Sequence, residues 1–196
     1  MVENMSKTQP IKELNDIRKL EDYFLERKEL RNYVLIVIGL NTSLRISDML
    51  SLCWKDFYNF KLGKYRQHIM VKERKTGKNS MIAINQSILD ALEKYRETLE
   101  SVEPDLYLFK SRIGTNQPIS RNRAFHIIKN AVEELGIENN ISCHSLRKTF
   151  GYHAWKKGVP PALLQQIYNH SSYEITKRYL GITQDEKDDV FLNIML

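Results

Sequence analysis

The spacing of apolar residues changes twice along this chain, from helical to alternating and back. Ile11, Leu14, Ile17, Leu20 and Phe24 recur at steps of three and four, which predicts an amphipathic helix over 11–26. Residues 32–42 are apolar nearly all round, the signature of a helix buried on every side. Asn41-Thr42-Ser43 interrupts it, and residues 45–50 read as a short helix ending near Trp54. Alternation then takes over in 64–72 and 79–84, predicting two strands. They flank Lys75-Thr76-Gly77-Lys78, whose glycine suits a hairpin turn. Helical spacing resumes over 86–100, 120–135, 144–157, 160–168 and 171–179, with Pro160-Pro161 placed for a first helical turn.

A last helix is expected over 184–195, announced by the possible capping box Thr183-Gln184-Asp185-Glu186. Val190, Phe191, Ile194 and Met195 fall on one side of it, and such a stripe must be buried on its own domain or on a neighbour's. The predicted fold class is therefore mainly α with one small antiparallel β-sheet (α+β), in a single domain over 1–196, without repeats or long linkers.

Composition narrows the class of function. Hydrophobic residues make up 42% of the 196, enough for a real core, and the formal charge is +6. That balance suits a polyanionic partner, with nucleic acid leading. The longest apolar run, Tyr33 to Leu40, is far too short to span a bilayer, and the polar residues 1–10 carry no signal peptide. Cys53 and Cys143 show neither a pairing signature nor metal-ligand spacing, so a reduced, cytoplasmic setting is expected.

Three local features carry chemistry. In His144-Ser145-Leu146-Arg147-Lys148-Thr149, the imidazole and the guanidinium stand at i and i+3 and project from one helix face. Together they make a phosphate site: arginine offers a two-pronged hydrogen-bond donor, and histidine moves a proton near neutrality. The second feature is Tyr168-Asn169-His170-Ser171-Ser172, followed by Thr176 and Tyr179; the third is Thr42-Ser43-Leu44-Arg45-Ile46-Ser47-Asp48. Each alone has an ordinary explanation, as a solvated basic face, a buried tyrosine or a surface arginine at a helix start.

In this order and at these separations the three together resemble the tyrosine recombinase (phage integrase) family. Its catalytic domain shows Thr-Gly-x-Arg followed by Ser-Glu/Asp, a hairpin lysine, His-x-Leu-Arg-x-Thr, Leu-Gly-His-Ser and a tyrosine a short way downstream. The resemblance implies that Arg45 and Arg147 clamp the scissile phosphate and that His144 assists proton transfer, while His170 hydrogen-bonds the phosphate. It implies Lys75 as the acid protonating the departing 5′-hydroxyl, Asp48 as a supporting carboxylate, and Tyr179 as the nucleophile forming a 3′-phosphotyrosyl link. Lys72, Arg74 and Lys78 lie within reach of the same turn, so the identity of the acid stays open.

The chemistry agrees with this division of labour. A phenol of pKa near 10 needs a base or cationic neighbours to attack at neutral pH, and two fixed guanidiniums can offset charge on the equatorial oxygens. Neither metal nor other cofactor is expected. Two positions depart from the family pattern: Ser43 and Asn169 each stand where glycine is usual.

The activity so implied is site-specific recombination, as an integrase/excisionase or invertase. A catalytically silent DNA-binding repressor of the same fold is one rival, and a type IB topoisomerase or telomere resolvase is another. The expected partners are double-stranded DNA and further copies of the chain: a homotetramer on paired sites, a monomer or weak dimer without DNA. The expected location is the cytoplasm, nucleoid-associated when acting on DNA. The family's N-terminal core-binding domain is expected to be missing from this chain, because the apolar helix leading to Arg45 starts so early.

Overall fold

The computed structural model describes residues 8–180 and 191–194. Helices α1 (Leu14–Glu26), α2 (Leu30–Thr42), α3 (Ile46–Met49) and α4 (Trp54–Phe57) come first. Four short strands follow: β1 (Tyr58–Asn59), β2 (Lys64–Tyr65), β3 (His68–Lys72) and β4 (Asn79–Ala83). The remaining described helices are α5 (Gln86–Arg96), α6 (Arg121–Glu134), α7 (Cys143–Lys156), α8 (Pro161–Tyr168) and α9 (Tyr173–Leu180).

Helix α2 is the central element, as its apolar circumference requires. Every residue from Val34 to Leu40 is buried, and α1, α5 and α7 pack around it. Each such aliphatic side chain contributes about 1.5–3 kcal/mol by leaving water, which makes this helix the spine of the core. The helices around it start where side chains can serve orphan backbone donors. Asn85 accepts from the amide of Ile88 and Ser120 from that of Arg123, at 3.1 and 3.0 Å. Ser142 and Ser145 form a reciprocal capping box at the start of α7.

Three expectations need correction. The alternating run 64–72 is not one strand, and the described residues hold two small sheets rather than one. Residues 64–65 pair with β1, whereas 68–72 pair with β4. Alternation reports which face is buried but not which partner is paired, so a change of partner at Arg66-Gln67 is invisible to it. The first helix starts at Leu14 rather than at 11. Residues 8–13 are held outside any helix by α7: the amide of Ile11 donates to Thr149 Oγ1 at 2.8 Å, and Lys148 donates to the Thr8 carbonyl at 2.6 Å. Ile11 is thereby buried, while Leu14, expected on the apolar stripe, is 59% exposed. Finally, the short helix after Arg45 stops at Met49, and Trp54 opens a separate helix with Asp56 capping its start.

Most of the helix expected over 184–195 lies outside the described residues. Phe191–Asn193 is helical, and Phe191 and Ile194 are 80% and 60% exposed on this chain.

The C-terminal helices α8 and α9 enclose a second, smaller core built on Leu164, Tyr168 and Leu180. It meets α7 at Gly151. A methyl group there would lie 2.5 Å from Leu180 Cδ2 and 2.7 Å from Tyr168 Cε2, well inside contact distance. Tyr168 cannot step aside cheaply, because it is fully buried and its hydroxyl donates to the Arg147 carbonyl at 2.7 Å. Gly151→Ala is therefore expected to destabilise the fold by about 1–3 kcal/mol through overpacking. Urea unfolding of the two proteins measures this, and an unchanged midpoint would show that α8 and α9 can move away from α7.

Candidate active site

An open cleft of about 900 Å³ is lined by Arg45, Arg74, Lys75, Arg121, His144 and Arg147. Four of the residues singled out in the sequence thus face one basic concavity, though they come from α3's start, the β3–β4 turn and α7. Asp48, His170 and Tyr179 do not line it.

Arg147 is 4% exposed. Its Nη1 donates to the Ser43 carbonyl and its Nη2 to the Tyr168 carbonyl at 3.2 Å, and the guanidinium lies 4.7 Å from the centre of the Tyr168 ring. Both carbonyls come from helix ends with a left-handed residue. Ser43 caps α2 at φ 55° and Asn169 caps α8 at φ 54°. These are the two positions where the family usually has glycine, so the sequence departures fall on a backbone conformation that glycine adopts most easily. Asparagine tolerates it well, and Ser43 carries the greater strain.

Arg45 sits at the N-cap of α3, and its Nη1 donates to Glu73 Oε2 at 2.5 Å. Glu73 was not singled out in the sequence. It is one acidic residue among 24, in a segment dominated by lysine and arginine. Asp48 is buried on α3 and accepts from the backbone amide of Arg74 at 3.1 Å, so it props the turn that carries Lys75. Its Oδ2 has no hydrogen-bond partner among the described residues. Of the lysines near this turn, Lys75 lines the cleft, whereas Lys78 reaches Asn169 Oδ1 at 3.4 Å. Gly77 takes φ +68° there, as the turn requires.

Tyr179 lies on α9 with its ring between two imidazoles. The centroids of His144 and His170 are each 5.0 Å from its own. Its hydroxyl is buried and makes no hydrogen bond within the described residues. Burial pushes the phenol up to about 12, although Arg147 and Arg45 pull the other way. His144 is brought down to about 4, first by burial and then by the charges of Lys148, Arg147, Arg45 and His170. His170 is lowered for the same reasons, and its Nδ1 lies 3.1 Å from Oγ1 of the buried Thr176. His144 is accordingly neutral at pH 7, the form of an imidazole that can accept a proton.

The remaining histidines and Cys143 take no part in this arrangement. His68 and His126 are exposed, and His153 pairs with the Ile11 carbonyl at 3.0 Å. Cys143 touches the cleft, but burial raises its thiol to about 11, which keeps it protonated. Among the described residues no cluster of His, Cys, Asp or Glu could hold a metal ion, and no helix is long and apolar enough to cross a membrane.

The fold is that of a tyrosine recombinase catalytic domain. It superposes on the crystal structure of XerA recombinase with a TM-score of 0.76 at 18% identity, covering 100% of this chain and 68% of that one. Against XerH recombinase bound to its palindromic difH substrate, in a post-cleavage complex, the TM-score is 0.73 at 20% identity, covering 95% and 53%. The Phage integrase family profile matches residues 8–186, and the chain belongs to that family. Its relative in Bacillus subtilis (strain 168), the probable integrase/recombinase YoeC, is 41% identical over 177 residues, 90% of this chain and 91% of that protein. The chain thus spans nearly all of that relative but only about half of the XerH chain.

The neutral His144 gives stability a pH dependence of definite sign. The unfolded imidazole takes up a proton near pH 6.5, which the folded site resists down to about 4. Stability from this source is complete above pH 6.5 and is lost as the pH falls toward 4. Urea midpoints should therefore drop between pH 6.5 and 5, and His144→Asn should make the drop smaller. Equal slopes in the two proteins would place the titrating group elsewhere.

Proposed function

We propose that this chain cuts and rejoins DNA by attack of Tyr179 on a scissile phosphate held by Arg45 and Arg147. The observation that carries the reading is the single basic cleft shared by Arg45, Lys75, His144 and Arg147, with Tyr179 packed directly against His144. As a phage integrase family member the chain is a site-specific tyrosine recombinase, and its partner is double-stranded DNA.

The steps follow from the groups present. As the phosphate enters, Arg45 and Arg147 bind its non-bridging oxygens and His170 donates a hydrogen bond. The phenolic proton of Tyr179 passes to neutral His144, and the oxygen attacks phosphorus. The P–O5′ bond breaks, and Lys75 gives a proton to the departing 5′-oxygen. The product is a 3′-phosphotyrosyl ester, whose bond energy is kept for rejoining, so the reverse steps need no nucleotide. Charge gathers on the equatorial oxygens in the transition state, and the two guanidiniums stabilise it without reorganising. Asp48 braces the Lys75 turn and does not meet the phosphate.

Residues 1–196 act in this reading as one catalytic domain, in the cytoplasm and on nucleoid DNA. The chain is a monomer or weak dimer when free and a tetramer on paired sites. The exposed Phe191 and Ile194 support a tail that docks on the next protomer. The full set of site residues speaks against a silent repressor, which has no use for a nucleophile. Relaxation of supercoiled plasmid lacking any recombination site separates a topoisomerase from a recombinase.

On a nicked suicide substrate, the protein is expected to form a covalent adduct that mass spectrometry places on Tyr179, in EDTA as well as in buffer. Tyr179→Phe should form none while binding DNA as before. Arg147→Ala should slow adduct formation by about a hundredfold or more, the usual effect of removing one oxyanion donor. An adduct on another residue would falsify the assignment of the nucleophile.

A further inference from the structure

We propose that Glu73 is the positioning residue of this site: its buried carboxylate holds Arg45, the Lys75 turn and the His170 turn in one arrangement. The inference rests on the reading above and adds to it a residue that does not touch the phosphate. Glu73 follows directly on β3 and is 3% exposed, while its neighbours Arg74 and Lys75 point into the cleft. Its backbone closes the turn, accepting from Gly77 N at 2.8 Å and donating to the Lys78 carbonyl at 2.9 Å.

Four donors converge on the carboxylate. Oε2 accepts from Arg45 Nη1 at 2.5 Å and from Thr76 Oγ1 at 3.0 Å. Oε1 accepts from Ser80 Oγ at 2.9 Å and from Asn169 Nδ2 at 2.7 Å. Both oxygens therefore have two partners each, and an ionised carboxylate has about four such places in all. Nothing remains to accept a proton from substrate, so Glu73 is no general base. The partners come from three parts of the chain, and three of the four stand at or beside a residue of the site, while Ser80 lies on β4 of the same hairpin as Thr76. Arg45 is one itself, Thr76 follows Lys75, and Asn169 precedes His170. The carboxylate engages Arg45 at Nη1 and leaves its other donors for a phosphate.

The charge state fits this role. Burial alone would raise the acid, but hydrogen bonds from Arg45, Ser80 and Thr76, with the charge of Arg45, hold it below the usual carboxylate range. It stays ionised wherever the enzyme works, and the brace is permanent. A buried carboxylate that served stability alone would have no reason to draw its donors from beside three members of the site.

The test compares wild type with Glu73→Gln in single-turnover cleavage of the nicked substrate, alongside DNA binding. Glutamine keeps the shape but turns one acceptor into a donor facing groups that are themselves donors. Cleavage is expected to slow by about ten- to a hundredfold, the range seen when a residue supporting a site is lost, with DNA affinity unchanged. The distinguishing measurement replaces the leaving 5′-oxygen by sulfur, which departs without a proton. If Glu73 holds the Lys75 turn, the slowdown shrinks on the sulfur substrate; a general loss of structure is blind to the leaving atom. An unslowed Glu73→Gln, or an equal slowdown on both substrates, overturns the inference. Asn169→Gly keeps the left-handed cap and removes the amide donor to Glu73 together with the longer, exposed contact to Lys78, so it covers the case in which Glu73→Gln does not fold. It should show the same pattern at smaller size, and wild-type rates on both substrates would count against the brace. Failure of wild type to form any adduct overturns the underlying reading instead.

Discussion

Arg147 is a permanently charged side chain enclosed almost completely by protein, and the site is built around keeping it there. Removing a guanidinium from water costs several kcal/mol, and bare burial would unfold the segment that contains it. Two backbone carbonyls, of Ser43 and Tyr168, and the face of the Tyr168 ring supply what water no longer does. Those carbonyls belong to the ends of α2 and α8. One charge therefore fixes three helices against one another, and the left-handed caps at Ser43 and Asn169 end these two helices.

The remaining electrostatics follow from that enclosed charge. Burial, and then the charges of Arg45 and Arg147, lower the pKa of both His144 and His170, with Lys148 adding to the effect at His144. Further cations would add repulsion that the site can shed simply by giving up protons. The result is a cleft with fixed positive charge from arginine and adjustable charge from histidine. A phosphate in the cleft reverses the balance, since its negative charge favours the imidazolium that the proposed proton transfer from Tyr179 requires. Glu73 and Asp48 are the acidic counterweights. Glu73 pairs directly with Arg45, Asp48 holds the backbone amide of Arg74, and both carboxylates are buried.

Packing sets the nucleophile with equal strictness. Tyr168 stacks on His170 at 5.3 Å and leans on Tyr179 at 5.0 Å, while its hydroxyl holds the α7 backbone. The close approach depends on the missing side chain at Gly151. Tyr179 packs against this smaller core, which is separate from the main core around α2.

Much of this could be read from the residues in order. The all-round apolar run of α2, the helical spacing of α5 to α9 and the hairpin around Gly77 are local patterns, and local patterns report burial. Candidate residues for the site could be named because the order and separations of these arginines, histidines and the tyrosine resemble those of the tyrosine recombinase family, and Arg45, Lys75, His144 and Arg147 do line one cleft. The partner of an alternating segment was not legible, so the split of 64–72 between two sheets went unseen. Nor was Ile11's burial outside a helix, which depends on Thr149 and Lys148 far along the chain. Glu73 escaped for the same reason. Its partners Arg45 and Asn169 stand 28 and 96 residues away and meet it only when α3 and the end of α8 pack against the β3–β4 hairpin. The sequence by itself determined which side chains could do chemistry and which faces had to be buried, because both are properties of residues and their local spacing. The tertiary structure alone decided which charges are neutralised, which are enclosed and what holds each in place, because those depend on neighbours that only folding brings within a few ångströms.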